Sequence, residues 1–231
     1  MKKVIVVDAT WLKTKYRGNF LIANAQDSDR QCYLIAWAIV DLENDASWTW
    51  FFTKLKEIVP DSDELAFVSD RHESINKAVC TIYEKAHHRA CTWHVGQNMK
   101  SHFKSIGAFN LYYEASNAYT LSTFNSKFKE MERRFPSVAR YLKEIVGFEL
   151  WAQAHFPGKR YNIMTSNIAE SLNSMFKKAR EFHVVALLDA IQAKMSSWFN
   201  DWRKIAAGIK SPLTPLMEEK VRERWNEAKT F

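Results

Sequence analysis

Apolar residues follow two rhythms along this chain, and the change between them falls near residue 95. Val4-Ile5-Val6-Val7 is a β-branched run closed by Asp8, the pattern of a strand covered on both faces. Phe20 to Gln26 and Tyr33 to Val40 are two further strand candidates, and Asp27-Ser28-Asp29-Arg30 between them supplies a turn, so the two predict a hairpin. From about Asp45 the period lengthens. Phe51, Leu55, Ile58 and Val59 share one helical face, and Pro60 ends it. Leu65 to Ser69 is a second short apolar run closed by an acid, Asp70. Ile75, Val79, Ile82 and Tyr83 predict another helix, and residues 88–93 a fifth strand. A strand, a helix and a strand in that order predict a right-handed parallel crossover.

Beyond this point only the helical rhythm remains. Phe124, Phe128 and Met131, then Val138, Leu142 and Ile145, predict helices within an all-α segment over about 96–160. A helix beginning at Asn167 would turn Leu172, Met175, Phe176 and Ala179 to a core and leave Glu170, Asn173 and Lys177 on its polar side. A longer stripe follows: Leu187, Leu188, Ile191, Met195, Trp198 and Trp202. Pro212 and Pro215 interrupt the chain before a last charged helix, Glu218 to Lys229. The expected fold class is therefore α/β: a ribonuclease-H-like mixed sheet with a helical insertion and additional C-terminal helices. Residues 1–95 would form the first part of the core, 96–160 the insertion, and 161–231 the helix with the third acid plus the closing helices.

With 231 residues, 47% hydrophobic content and few Gly or Pro, the chain reads as folded rather than disordered. Charge changes the picture more. Residues 1–70 carry 8 basic against 11 acidic residues, a balance of −3; residues 71–231 carry 25 against 15, a balance of +10. A basic excess confined to one part points to a polyanionic partner, nucleic acid before membrane. Three cysteines make no disulfide framework, which favours a reducing compartment, and four apolar residues after Lys3 are too few for a signal peptide or a span.

Asp8 and Asp70 both close strands, where open α/β sheets place ligand-binding groups. Either alone reads as a turn or capping residue. Glu170 alone reads as half of a capping box, reaching back to the Asn167 amide. Together they suit a different chemistry. Two-metal phosphodiester cleavage needs ions about 3.5–4 Å apart. Mg²⁺ takes a few carboxylates besides phosphate and water, and Mn²⁺ favours the same oxygen ligands. Clustered carboxylates repel one another, so at least one is expected to hold its proton until metal enters. Asp8 and Asp70 are 62 residues apart and Asp70 and Glu170 are 100 apart, so only tertiary folding can unite them.

Several short motifs, in order, resemble plant Mutator-like element (MULE) transposases. They are Val7-Asp8-Ala9-Thr10-Trp11-Leu12-Lys13, Ile39 to Trp50, Val68-Ser69-Asp70-Arg71, Cys91-Thr92-Trp93-His94, Trp151 to Phe156, and Asn167-Ile168-Ala169-Glu170-Ser171. The resemblance runs from about residue 4 to about 205. It implies a DDE-type catalytic core with Asp8, Asp70 and Glu170 as catalytic and metal-binding acids, two Mg²⁺ or Mn²⁺ ions, double-stranded DNA at element ends and target as partner, and a nuclear location. It leaves a homo-oligomer open and implies no membrane. Ala9 stands where the family usually has Gly, and residues 1–231 are expected to be the catalytic core alone, without the Cys/His sets of the family's N-terminal zinc-dependent DNA-binding module and C-terminal SWIM zinc finger. Two rivals follow: a domesticated, catalytically silent DNA-binding or regulatory protein, and a simple nuclease that never joins ends.

Cys91 and His94 supply half a zinc site, and zinc is not expected within this chain. On an extended run over 88–93 that continues, the two would point to opposite faces. The resemblance places them near the active site as secondary candidates. Lys177, Lys178, Arg180, Arg203 and Lys204 are candidate contacts to a DNA backbone, with Trp198 and Trp202 read as core rather than as stacking platforms.

Overall fold

In the computed structural model, residues 3–15, 17–157 and 163–229 are described. The expected boundary at 160/161 therefore lies outside the described residues. Five strands form one mixed sheet: β1 (Val4–Trp11), β2 (Asn19–Gln26), β3 (Cys32–Val40), β4 (Ala66–Ser69) and β5 (His87–Ala90), in the order β3-β2-β1-β4-β5. β1 pairs antiparallel with β2, and β2 with β3; β4 runs parallel to both β1 and β5. The β2–β3 turn is held by Asp27, whose Oδ1 accepts from the Gln31 amide at 2.8 Å, and by Arg30 in the left-handed region at φ 62°.

The pleat of β1 assigns its neighbours. Ile5 and Val7 pack with Leu21 and Ala23 against α1 (Asp45–Ile58) and α2 (Glu73–Ile82). Val4 and Val6 pack with Phe20 and Ile22 against α8 (Asn167–Met175) and α9 (Val184–Gly208). Both faces are covered, which is why this strand is continuously apolar. In α1 the buried residues are Trp48, Phe51, Phe52 and Leu55, while Ile58, expected inside, is 62% exposed at the helix end.

The helical lobe comprises α3 (Thr92–Phe103), α4 (Ile106–Ser116), α5 (Leu121–Arg134), α6 (Pro136–Arg140) and α7 (Phe148–Trp151), around Trp151, Phe124, Phe128 and Met131. It begins at Thr92, ahead of the expected 96. A π-turn over Tyr141–Val146 separates α6 from α7. Its extra residue per turn moves Val146 into the core and leaves Ile145, expected there, exposed. The lobe is tied to the sheet through β5: the buried Arg89 guanidinium donates to the Trp151 carbonyl and lies over the Phe156 ring. The chain closes with α10 (Pro215–Ala228), whose Leu216 amide donates to Asp29 Oδ1 at 3.1 Å.

Candidate active site

β1 and β4 bring the first two acids together by register. Val6 pairs with Val68 in parallel, so Asp8 and Asp70 each lie two residues further along neighbouring strands, at the same level and on the same side of the pleat. Such strands lie about 4.8 Å apart. Asp70 directly follows β4, as expected. Asp8 does not end its strand: β1 continues to Trp11 because β2 keeps pairing with it, Asp8 opposite Ile22. What ends at Val6 is the parallel partner, and that exposes this edge of β1 for a ligand.

The third acid arrives from the α8 side. Ala169, Leu172 and Phe176 pack against the sheet, and Met175, expected in the core, is 47% exposed. The helix begins one residue earlier than a capping box at Asn167 requires. Ser166 is its N-cap, Asn167 lies inside the first turn, and Glu170 Oε1 accepts from the Ser166 hydroxyl at 2.9 Å. The capping-box reading of Asn167 and Glu170 is thereby corrected.

Electrostatics joins the three. Burial, the Asp70 carboxylate and, more weakly, Glu170 push the Asp8 carboxyl up to about 7, against smaller downward pulls from the Ala9 backbone and from Asn173. The Asn173 side-chain amide donates to Asp8 Oδ2 at 2.7 Å. Asn173 was expected on the polar side of its helix; it is 7% exposed and turned to β1.

Cys91 and His94 come together, contrary to the extended reading of 88–93. β5 stops at Ala90 and α3 starts at Thr92, so the two residues sit three apart across the first helical turn and share a hydrogen bond. Cys91 is fully buried, and its Sγ accepts from the Ser166 amide at 3.2 Å. Burial raises the thiol, but hydrogen bonds from His94 and Ser166 outweigh it and hold the group below its usual value. His94 is raised by that hydrogen bond, against burial, with help from Glu170 and Asp70. Its Nδ1 lies 3.3 Å from Ser166 Oγ and its Nε2 3.9 Å from Glu170 Oε1. Ser166 thus joins the secondary pair to the third acid. Sequence reasoning gives the cap to Asn167 and no role to Ser166, whose partners Cys91 and His94 lie 75 and 72 residues away.

The cationic candidates divide. Lys177, Lys178, Arg203 and Lys204 are exposed. Arg180 is 7% exposed and faces inward: Nη1 donates to Thr10 Oγ1 and to the Trp11 carbonyl, both at 2.6 Å, and Nη2 to the Asn173 carbonyl at 3.2 Å. It braces the far end of β1 against α8 and is not placed to follow a DNA backbone. Arg180→Ala should lower unfolding stability by about 2 kcal/mol, the scale of hydrogen bonds made by a charged group; a denaturant midpoint equal to wild type would contradict this bracing. Trp198 and Trp202 are partly buried and stacked at 5.9 Å, with Trp202 edge-on to Tyr33 of β3.

Oxygen donors of this kind suit a hard divalent ion. Among the described residues, however, no three His, Cys, Asp or Glu side chains stand close enough to hold one ion in this arrangement. Asp8 is held by Asn173, and Glu170 is engaged by Ser166 with His94 beside it. The carboxylate oxygens of Asp8, Asp70 and Glu170 fit such an ion in kind.

Comparison with known proteins adds one family match. Residues 4–98 match the MULE transposase domain. The match supports the MULE transposase family over the stretch that carries Asp8, Asp70, Cys91 and His94, and it ends well before Glu170. No curated protein matches the chain. Among solved structures, similarity is found to a chain of the simian T-cell lymphotropic virus intasome in complex with the PP2A regulatory subunit B56 gamma. Identity is 8% and the TM-score 0.30, over 62% of this chain and 49% of that one, so the present chain spans about half its length. Among the described residues no helix is long and apolar enough to cross a membrane.

Proposed function

We propose that the chain is the ribonuclease-H-like catalytic core of a DDE-type MULE transposase, cutting phosphodiester bonds at element ends and joining the freed 3′-hydroxyl to target DNA. The observation that carries this reading is the parallel register that sets Asp8 beside Asp70 within residues 4–98, the stretch that matches the MULE transposase domain; a contribution of Glu170 to the raised Asp8 carboxyl supports it as the third acid. Asp8, Asp70 and Glu170 would hold divalent ions, Mg²⁺ or Mn²⁺. Bound there, such ions supply charge stabilisation for the attacking and leaving oxygens.

The chain's own residues do the rest. Asp8 would hold an ion as its carboxylate, and Asn173, donating to its Oδ2, would keep that carboxylate oriented. Ser166 and His94 hold the Glu170 carboxylate in place. The exposed Lys177, Lys178, Arg203 and Lys204 would position duplex DNA by its phosphates. Residues 1–95 and 161–231 would make up the core, with the helical lobe as its insertion, acting in the nucleus of a plant cell.

The test is nicking and strand transfer on duplex DNA with Mn²⁺, comparing wild type with Asp8→Asn, Asp70→Asn and Glu170→Gln. Loss of activity on the order of 10³-fold is expected in each, since several kcal/mol of charge stabilisation leave with an ion. Equal activity in wild type and mutants would remove the basis of the proposal. Salt-dependent DNA binding with no metal uptake would favour a silent, regulatory descendant, and degradation without joining a simple nuclease.

A further inference from the structure

We propose that Asn173 is a positioning residue of the acidic site: its side-chain amide locks the Asp8 carboxylate in one orientation. The inference rests on the metal-dependent reading above and deepens it.

One short helix delivers both groups. Asn173 follows Glu170 by three residues, so the same side of α8 presents an acid near its start and an amide one turn later. The two ends of that amide are treated differently. Nδ2 lies 2.7 Å from Asp8 Oδ2. Oδ1 is buried and has no hydrogen-bond partner.

A buried amide oxygen without a partner costs about 1–3 kcal/mol. Packing alone gives no reason to bear that cost, because the neighbouring inward positions of α8, Ala169, Leu172 and Phe176, are all apolar. Nor does the nearby guanidinium satisfy the oxygen. Arg180 Nη2 goes to the main-chain carbonyl of Asn173, while Arg180 Nε is itself buried without a partner. An unmatched acceptor therefore sits on the same amide carbon as the group that grips Asp8. It cannot leave that neighbourhood without releasing the carboxylate. The grip on Asp8 is thus the reason an amide stands at an otherwise apolar inward position.

Partners that orient a metal-binding group typically contribute 10–100-fold to metal affinity. The experiment is calorimetric titration of the full chain with Mn²⁺, together with thermal unfolding in its absence. Asn173→Leu fills the same space with no polar atom. It removes an unmatched oxygen and a hydrogen bond to Asp8 together, so the metal-free protein should stay near wild-type stability, while Mn²⁺ binding should weaken about 10–100-fold. Asn173→Ala serves if leucine overpacks the site, with the same expected loss. Asn167→Ala, exposed on the same helix, should bind Mn²⁺ as wild type does. Folded Asn173 variants with wild-type Mn²⁺ affinity overturn the inference while leaving the acidic site standing. A wild-type chain that takes up no Mn²⁺ overturns both.

Discussion

Asp8→Asn is expected to abolish metal-dependent strand cleavage and, in the same protein, to raise the stability of the metal-free state at neutral pH. The second effect follows from the Asp8 carboxyl, which burial and the Asp70 and Glu170 carboxylates push up to about 7 from an ordinary 3.8. The folded chain therefore keeps a proton that the unfolded chain has already lost, and stability falls as pH rises between those two values. Below pH 4 the group is neutral in both states and stabilising by comparison. Above 7 it is a buried carboxylate facing two others. At 1.36 kcal/mol per pKa unit the difference is on the order of 4 kcal/mol. An asparagine carries no charge at any pH, so variant and wild type should be similar at pH 4 and diverge up to pH 8. Mn²⁺ should close the gap by favouring the ionised wild-type site. Urea midpoints measured at intervals from pH 4 to 8 give the answer; parallel curves for the two proteins would rule out a shifted Asp8.

Glu170→Gln separates a ligand from a structural acid. The side chain is about half exposed, and its Oε1 accepts the Ser166 hydroxyl, a bond that a glutamine oxygen can also accept. The metal-free variant should thus be no less stable than wild type, and one repulsion with Asp8 is relieved. Were Glu170 acting as a cap, its loss would cost about 1 kcal/mol with or without metal. With Mn²⁺ the readings part. Ligand at one hundred times its dissociation constant stabilises a protein by about 2.7 kcal/mol. If removing one carboxylate weakens binding tenfold, about half of that disappears. A Glu170→Gln protein whose melting temperature rises with Mn²⁺ as far as wild type's would show that Glu170 does not reach the ion.

Several parts of the site were visible along the chain because their signals are local. A β-branched run closed by an acid marks a buried strand and its ligand-bearing end, and Asp70 lies where that rule puts it. Asp8 obeys the rule differently: its strand continues, and only the parallel partner stops. An extended run over 88–93 separates Cys91 and His94, because strand and helix starts cannot be told apart over four residues. The chain turns at Cys91, and the pair meets. A regular 3.6 period puts Ile145 inside, but a π-turn interrupts it and brings Val146 in instead.

The amino-acid order by itself determined the alternation of strands and helices, the faces of the long helices and the separation of an acidic-leaning first part from a basic remainder. These depend on neighbours within a few residues, where periodicity and turn chemistry act. Only the tertiary structure decided the roles of the polar residues. Arg180, Asn173 and Ser166 carry side chains as suited to water as to a partner, and what each does depends on which distant atoms fold against it. Arg180 meets Thr10 and Trp11, Asn173 meets Asp8, and Ser166 meets Cys91, at separations of 75 to 170 residues. An apolar side chain is driven inward by water whatever its partners; a buried polar one is tolerated only where a matching group has been brought to it, and no local pattern records that match.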